Sequence, residues 1–356
     1  MKLLLNSGAE PNCCFGTGSF PLAVACIFEN ENMAELLLNN HSNVNTFTHI
    51  DDICLTVFQC DEAVDIIEII AYKRFNTPEF AISPLHIASI CNNGNIVKML
   101  LDSKAKIHLK CSVNPVMLNI LANNCKSSEI GISKYPNCSI LHDVLPLHIA
   151  CLMGNDNIVE MLLQSNITNL PDYIDSLILL STEQVICIHG LPVDFALVSE
   201  EKQTFMLSPI QMACFSTHWT ILKTLLKHGA SIFETCRISN TILAGFSRNT
   251  KQLQNSEIDG TVYKTSVKMF LFEIFVKSCI LGDIQTIRDL LIIIQNTSII
   301  HHKKIPIHYA CEDNQAEVVE LLVSAIHIAC NAGNDDAVAY LLNCEYINSE
   351  NSSNLQ

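Results

Sequence analysis

The sequence predicts an all-α fold, a solenoid of stacked helix-turn-helix units with short hairpin loops. Three observations support this fold class. A short phrase built around proline recurs along the chain, an apolar phrase with helical spacing follows it, and a residue suited to a helix end separates the two. Together they describe one pair of helices, repeated with a period of about 32 residues.

The first phrase marks the start of the first helix of each pair. Proline suits the first helical position, and the serine before it suits the N-cap. Successive prolines at 84, 146 and 209 lie 62 and 63 residues apart, which is close to two periods. The clearest copies are Ser83-Pro84-Leu85-His86-Ile87-Ala88, Leu145-Pro146-Leu147-His148-Ile149-Ala150, Ser208-Pro209-Ile210-Gln211-Met212-Ala213 and Ile305-Pro306-Ile307-His308-Tyr309-Ala310.

The second phrase, twelve residues after the proline, marks the second helix. Ile96-Val97-Lys98-Met99-Leu100-Leu101 and Ile158-Val159-Glu160-Met161-Leu162-Leu163 are two copies. Their apolar residues at positions i, i+1, i+3 and i+4 lie on one face of a helix. Gly154 and Asn92, which tolerate the left-handed conformation, stand between the phrases and end the first helix.

This unit resembles the ankyrin repeat, which is about 33 residues long and carries the signature T-P-L-H-x-A. A lone repeat cannot bury its apolar face, so the resemblance implies an elongated solenoid of stacked repeats. It also implies hairpins at one edge and a concave face lined by first helices, where proteins of this family mostly bind other proteins.

Repeats located in steps of this period predict a solenoid over residues 1–347, followed by a disordered polar tail at 348–356. Clear repeats are expected near 20–45, 83–107, 145–168, 208–232, 305–324 and 325–344. Degenerate repeats are expected near 51–75, 114–143, 177–206, 240–268 and 273–296.

Composition excludes several function classes. The formal net charge is −15, and only four basic residues are arginines, which are scattered, so a nucleic-acid partner is not expected. No apolar stretch approaches the roughly 18 residues of a membrane span. The 17 cysteines form no C-x-x-C pair, which favours reduced thiols in the cytoplasm or the nucleus. Six of them lie five residues after the proline place and are expected to be small buried packing residues: Cys26, Cys151, Cys214, Cys279, Cys311 and Cys330.

Histidine recurs at one place in the repeat, at His86, His148, His308 and His327. The resemblance implies a structural role, in which each histidine joins its helix start to the neighbouring hairpin by hydrogen bonds. A metal column would need ligands at about 2.0–2.3 Å from the ion, whereas packed helices lie about 8–10 Å apart. No catalytic or phosphate-binding motif is present, so we expect no enzyme, no metal and no cofactor.

Candidate partner-binding residues lie six and seven positions after the proline place, where the resemblance implies a concave surface. Those that are apolar could form an exposed stripe, or could pack against the neighbouring repeat. They are Ile27, Phe28, Leu152, Met153, Phe215, Ile280 and Leu281. A basic cluster at His301, His302, Lys303 and Lys304 is either a solvated hairpin tip or a contact for an acidic partner.

The predicted function is therefore that of an intracellular scaffold or adaptor, which binds protein partners through the concave face without catalysis. The sequence is compatible with two alternatives. One is a regulatory or targeting arm of a larger multidomain protein, such as a kinase, a channel or a ubiquitin-ligase subunit. The other is a decayed gene product without function.

The period breaks near the C-terminus, where Ala325 follows Pro306 by only 19 residues. The lost residues are those of the hairpin and the cap, and no glycine or proline remains to make a turn. The sequence predicts one fused helix from about residue 316 to 332 that disrupts docking of the last repeat. The alternative is an artificial join in the sequence.

Overall fold

The computed structural model describes residues 2–14, 20–48, 82–113, 115, 118, 140–165, 169–181, 184, 204–232, 235–239, 262–294 and 315–331. It divides the chain into two compact units. One comprises 1–231, 236–249 and 256–264, and the other 232–235, 250–255 and 265–356.

The first unit is built from pairs of short helices. After α1 (Lys2–Asn6), the pairs are α2 (Pro21–Ile27) with α3 (Glu31–Asn39), and α4 (Pro84–Ile90) with α5 (Gly94–Asp102). Next come α6 (Pro146–Met153) with α7 (Asp156–Gln164), the short α8 (Leu170–Ile174), and α9 (Pro209–Phe215) with α10 (Trp219–Lys227). The predicted class of stacked helix pairs is confirmed, with each first helix beginning at the expected proline.

Short two-stranded ribbons, antiparallel in the first two cases, lie between the helix pairs along the chain. β1 (Cys111–Val113) pairs with β2 (Leu141–Val144), and β3 (Ile178–Ser181) pairs with β4 (Thr204–Leu207). β5 (Thr235–Ser239) and β6 (Val262–Ser266) form a third two-stranded sheet. An isolated bridge between Thr48 and Ile82 lies before α4 in the same way. Each ribbon therefore brings together two points of the chain that are separated by a long stretch of sequence.

The order of stacking differs from a uniform 32-residue step. First helices α2, α4, α6 and α9 pack side by side in this order, and so do second helices α3, α5, α7 and α10. Packed helices lie about 8–10 Å apart, so one further repeat between two of them would separate them by about 16–20 Å. Neighbours in this stack are therefore about two periods apart in the sequence. The predicted degenerate repeats near 51–75, 114–143, 177–206 and 240–268 fall mostly outside the described residues.

Asparagine side chains join the loops that follow the second helices. Asn12 Oδ1 accepts a hydrogen bond from the backbone N–H of Asn43 at 2.7 Å, and Asn45 Oδ1 accepts one from Lys106 at 2.8 Å. The two partners are thus 31 residues apart in the first of these hydrogen bonds and 61 residues apart in the second. Contact between neighbouring loops is kept although the length of chain between them changes.

The second unit contains a helix pair and one longer helix. α11 (Val267–Leu281) pairs with α12 (Ile284–Ile294), and α12 contacts α13 (Ala316–Asn331). The 16 residues of α13 run without a break through the irregular junction, for about 24 Å. The predicted fused helix is confirmed, so residue 325 does not begin a separate helix.

The two halves of α13 differ in burial. Val318, Leu322 and Ala325 are buried on one face, whereas His327 and Cys330 are exposed and Ile328 is 58% exposed. The equivalent His86 and His148 are fully buried. His327, Ile328 and Cys330 therefore belong to the sequence of a first helix without its burial, and the expectation that Cys330 is a buried packing residue is wrong.

Replacement of Leu147 by alanine tests the register of the stack. Leu147 is 0% exposed in α6, so Leu147→Ala should lower the free energy of unfolding by about 2–5 kcal/mol through lost burial and a residual cavity. Leu179→Ala is the matched control, because Leu179 is 51% exposed and its truncation should cost less than about 0.5 kcal/mol. Urea titration measures the free energy of unfolding of both variants. An equal loss of stability in the two would contradict this register.

Replacement of Ala325 by proline tests the fused helix. The change recreates the phrase found at Ser83-Pro84, but in the interior of α13 proline removes a hydrogen bond and clashes with the preceding turn. We expect a loss of about 3 kcal/mol or more in stability and reduced helix content by far-UV circular dichroism. Ser324→Ala should be nearly silent. Unchanged stability in Ala325→Pro would mean that a new helix starts at this residue.

Candidate interaction surface

The predicted apolar stripe is largely buried. Ile27 and Leu152 are each 2% exposed and Phe215 is 0% exposed. Ile90, at the same place in its repeat, is buried as well. Since the first helices pack side by side, this place faces the interior of the stack rather than solvent. Of the two alternatives, packing against the neighbouring repeat therefore holds for Ile27, Leu152 and Phe215.

Phe28 and Met153 are the predicted residues that remain accessible. Phe28 is 41% exposed at the C-cap of α2, and Met153 is half-buried in the last turn of α6. Both lie seven residues after the first proline of their repeats, immediately before the turn to the second helix. The exposed part of the predicted surface is thus the turn end of the first helices.

The remaining candidates are not placed by the structure. Ile280 and Leu281 lie in the last turn of α11, but their side chains fall outside the described part of the chain. His301, His302, Lys303 and Lys304 lie outside the described residues altogether. Their roles stay predictions.

His86 joins its repeat to the next one. Its Nε2–H donates a hydrogen bond of 3.0 Å to the carbonyl of Val144, at the end of β2. Because a neutral imidazole has one donor and one acceptor nitrogen, Nδ1 accepts from the Ser83 hydroxyl at 2.6 Å. Burial lowers the pKa of His86 from 6.5 to about 4, which keeps the ring neutral at physiological pH. The predicted bond between helix start and neighbouring hairpin is confirmed here.

His148 repeats this arrangement one repeat later. Its Nδ1 accepts from the backbone N–H of Leu145 at 3.1 Å, and its Nε2–H donates to the carbonyl of Ser176 at 3.1 Å. Burial lowers its pKa to about 4 as well. In the fourth repeat Gln211 takes the histidine place, and its Oε1 accepts from the backbone N–H of Ser208 at 3.0 Å. A neutral amide can thus substitute for the neutral imidazole at the helix start.

A second inter-repeat contact was not predicted from the sequence. Asn155, at the N-cap of α7, donates from Nδ2 to the carbonyl of Ser89 in α4 over 2.7 Å, and this bond is buried. In the next repeat His218 takes the same place, and its ring lies against the backbone of Gly154, which has φ +74°. A Cβ on Gly154 would lie within 3.0 Å of the imidazole atoms. The signal in the sequence is a polar residue nine positions after each proline.

The cysteines of the first helices are packing residues, as predicted. Cys26, Cys151, Cys214 and Cys279 are buried free thiols. Burial raises the pKa of all four, that of Cys279 to about 12, so each stays protonated and poorly nucleophilic. Among the described residues no three metal-ligating side chains form a cluster, and no helix there is long and apolar enough to cross a membrane.

Comparison with known proteins gives a family for two stretches of the chain. Residues 1–111 match the family model for ankyrin repeats in three copies, and residues 143–175 match the model for a single ankyrin repeat. Among solved structures, the chain is similar to the ankyrin repeat domain of human ASB11 at 19% identity, over 65% of this chain and 79% of that one, with a TM-score of 0.31. No curated protein matches the sequence.

The buried histidines make stability depend on pH. The pKa of each is about 4 in the folded chain against 6.5 for the free group, so between these values the unfolded chain binds protons that the folded chain does not. The free energy of unfolding is therefore unaffected by these histidines above about pH 6.5 and falls as the pH drops toward 4. At about pH 5 each histidine lowers it by about 2 kcal/mol.

Urea titrations at several pH values measure this dependence. The variant His86→Gln/His148→Gln places at both positions the amide that Gln211 already provides in the fourth repeat. It should lose the contribution of these two histidines to the dependence of the unfolding free energy on pH between 6.5 and 4, while keeping the fold. His218, whose pKa burial also lowers, contributes to both proteins. Carboxylates that titrate in the same range are common to both proteins and cancel in the comparison. Identical slopes would show that the histidines are not buried in the neutral form.

Proposed function

Because this chain is an ankyrin-repeat protein, we propose that it acts as a scaffold or adaptor that binds protein partners without catalysis. Ankyrin repeats are generally protein-interaction modules, which supports a protein partner. The net charge of −15 argues against a polyanionic nucleic acid. The proposal places the protein in the cytoplasm or the nucleus and needs no cofactor.

The turn end of the first helices is the surface that we propose for the partner. Phe28 is a large aromatic side chain with 41% exposure, and aromatic residues are enriched where proteins bind one another. It follows a helix whose residues are otherwise mostly buried, so its backbone is held by the stack. Met153 is presented at the same place two repeats further along.

Acidic side chains lie beside this surface. Glu31 begins α3 and Asp156 begins α7, and both are exposed. The side chain of Asn95 donates to Glu31 over 2.9 Å, which links α5 to α3. The surface therefore suits a partner that offers an apolar side chain next to lysine or arginine.

Charge substitution at the turn end tests the proposal. Phe28→Asp and Met153→Asp should abolish capture of the protein that the wild type retains from cell lysate, as identified by mass spectrometry. The melting temperature should change little, because neither side chain is fully buried. Leu179→Asp is the control, since Leu179 is 51% exposed on β3 and away from the turns.

Phe215→Asp provides the opposite contrast. Phe215 is 0% exposed, so an aspartate at this place should lower the melting temperature strongly. Retention of the captured protein by Phe28→Asp and Met153→Asp, with normal folding, would exclude the turn end as the binding surface.

A further inference from the structure

A groove opens between α5 and α7 at the end of the second helices that lies opposite to the turns. It has a volume of about 650 Å³, which lies in the range of ligand sites. Leu101, Ala105, Ile107 and Met161 form its apolar part. Met161 is partly buried, and a methionine side chain adapts to differently shaped apolar partners.

The rim of this groove carries positive charge. Lys98 and Lys104 line it, and both side chains are exposed. Neither ammonium group makes a hydrogen bond or an ion pair within the described part of the chain. Lys106 and Lys110 follow in the sequence. Lys110 Nζ forms an ion pair with Asp143 Oδ1 at 3.7 Å. A concentration of lysines is notable on a chain whose net charge is −15.

Acidic groups near the groove limit where a ligand can bind. Asp102 lines the groove and is exposed, one helical turn from Lys98 on α5. Glu160 on α7 accepts a hydrogen bond from Gln164 over 2.8 Å, which occupies one of its oxygens. The lining thus holds two ammonium groups and one carboxylate, and an anionic ligand must approach from the side of Lys98 and Lys104.

We propose that this groove binds an acidic peptide segment of a partner protein, whose apolar side chain contacts Leu101 and Met161 while flanking carboxylates contact Lys98 and Lys104. The apolar floor favours a peptide over a nucleic acid, because a phosphate backbone would gain nothing from it. Lysine rather than arginine also provides point charges that suit carboxylates without bidentate geometry. This inference rests on the proposed protein-binding function but uses a different surface.

Fluorescence anisotropy with a defined probe tests the proposal. The probe is a fluorescein-labelled peptide that repeats Asp-Glu-Leu-Glu, and the full chain is titrated against it. We expect saturable binding that Lys98→Glu/Lys104→Glu weakens about tenfold or more, because two unpaired charges are reversed. Binding should also weaken from about 50 mM to about 0.5 M salt, since the Debye length shortens.

Three controls make the result specific. Lys227→Glu reverses an exposed lysine near the end of α10 and should leave the affinity unchanged. A peptide with serine in place of each leucine should bind more weakly, because the floor is apolar. Labelled oligothymidylate should bind more weakly than the peptide.

Several outcomes would overturn the proposal: no saturable binding of the acidic peptide, equal loss in Lys227→Glu, or tighter binding of oligothymidylate. The variants Phe28→Asp and Met153→Asp should bind the acidic peptide normally. The two proposals can therefore fail independently. Loss of peptide binding in the lysine variants tests the groove, and loss of partner capture in the Phe28 and Met153 variants tests the turn end.

Discussion

Neighbour-to-neighbour packing is the constraint on which the first unit depends, because a pair of short helices cannot bury its apolar face alone. Two buried hydrogen bonds connect α4 to residues on either side of α6, in opposite directions along the chain. His86 donates forward to the carbonyl of Val144, just before α6, and Asn155 donates back to the carbonyl of Ser89 in α4. One bond lies at the start of the first helices and the other near their end. Two such points fix both the spacing and the relative rotation of neighbouring repeats.

Helices and their starts could be read from the sequence because they depend on local chemistry. The prolines at 21, 84, 146 and 209 each begin a helix, and the missing turn near Ala325 produced a continuous helix. The stacking order could not be read in this way, since a period says how often a unit recurs and not which copies touch. One signal does agree with the observed order. The residue fourteen positions after each proline alternates in charge through the stack, as Glu35, Lys98, Glu160 and Lys223.

The candidate site was predicted only in part, for a related reason. Apolar residues six positions after the proline fit either a binding face or an interior, and only the position of the neighbouring helix decides between them. The structure buries Ile27, Leu152 and Phe215 and leaves Phe28 accessible one position later. The lysine-rimmed groove had no signal in any single repeat, because its lining comes from two repeats that are distant in the sequence. Asn155 was missed likewise, since its partner Ser89 belongs to another repeat.

The buried cysteines have a consequence for how opening of the stack can be followed. Cys26, Cys151 and Cys214 occupy the same place in three different first helices, and each can react with an alkylating reagent only while its own repeat is open. Cys13, Cys14 and Cys330 are exposed and set the rate of an unprotected thiol. The ratio of slow to fast alkylation at each cysteine therefore reports the fraction of time that its repeat spends open. The native chain thus carries local probes at this place in three of the four repeats of the first unit, those that begin with α2, α6 and α9, without any engineered label.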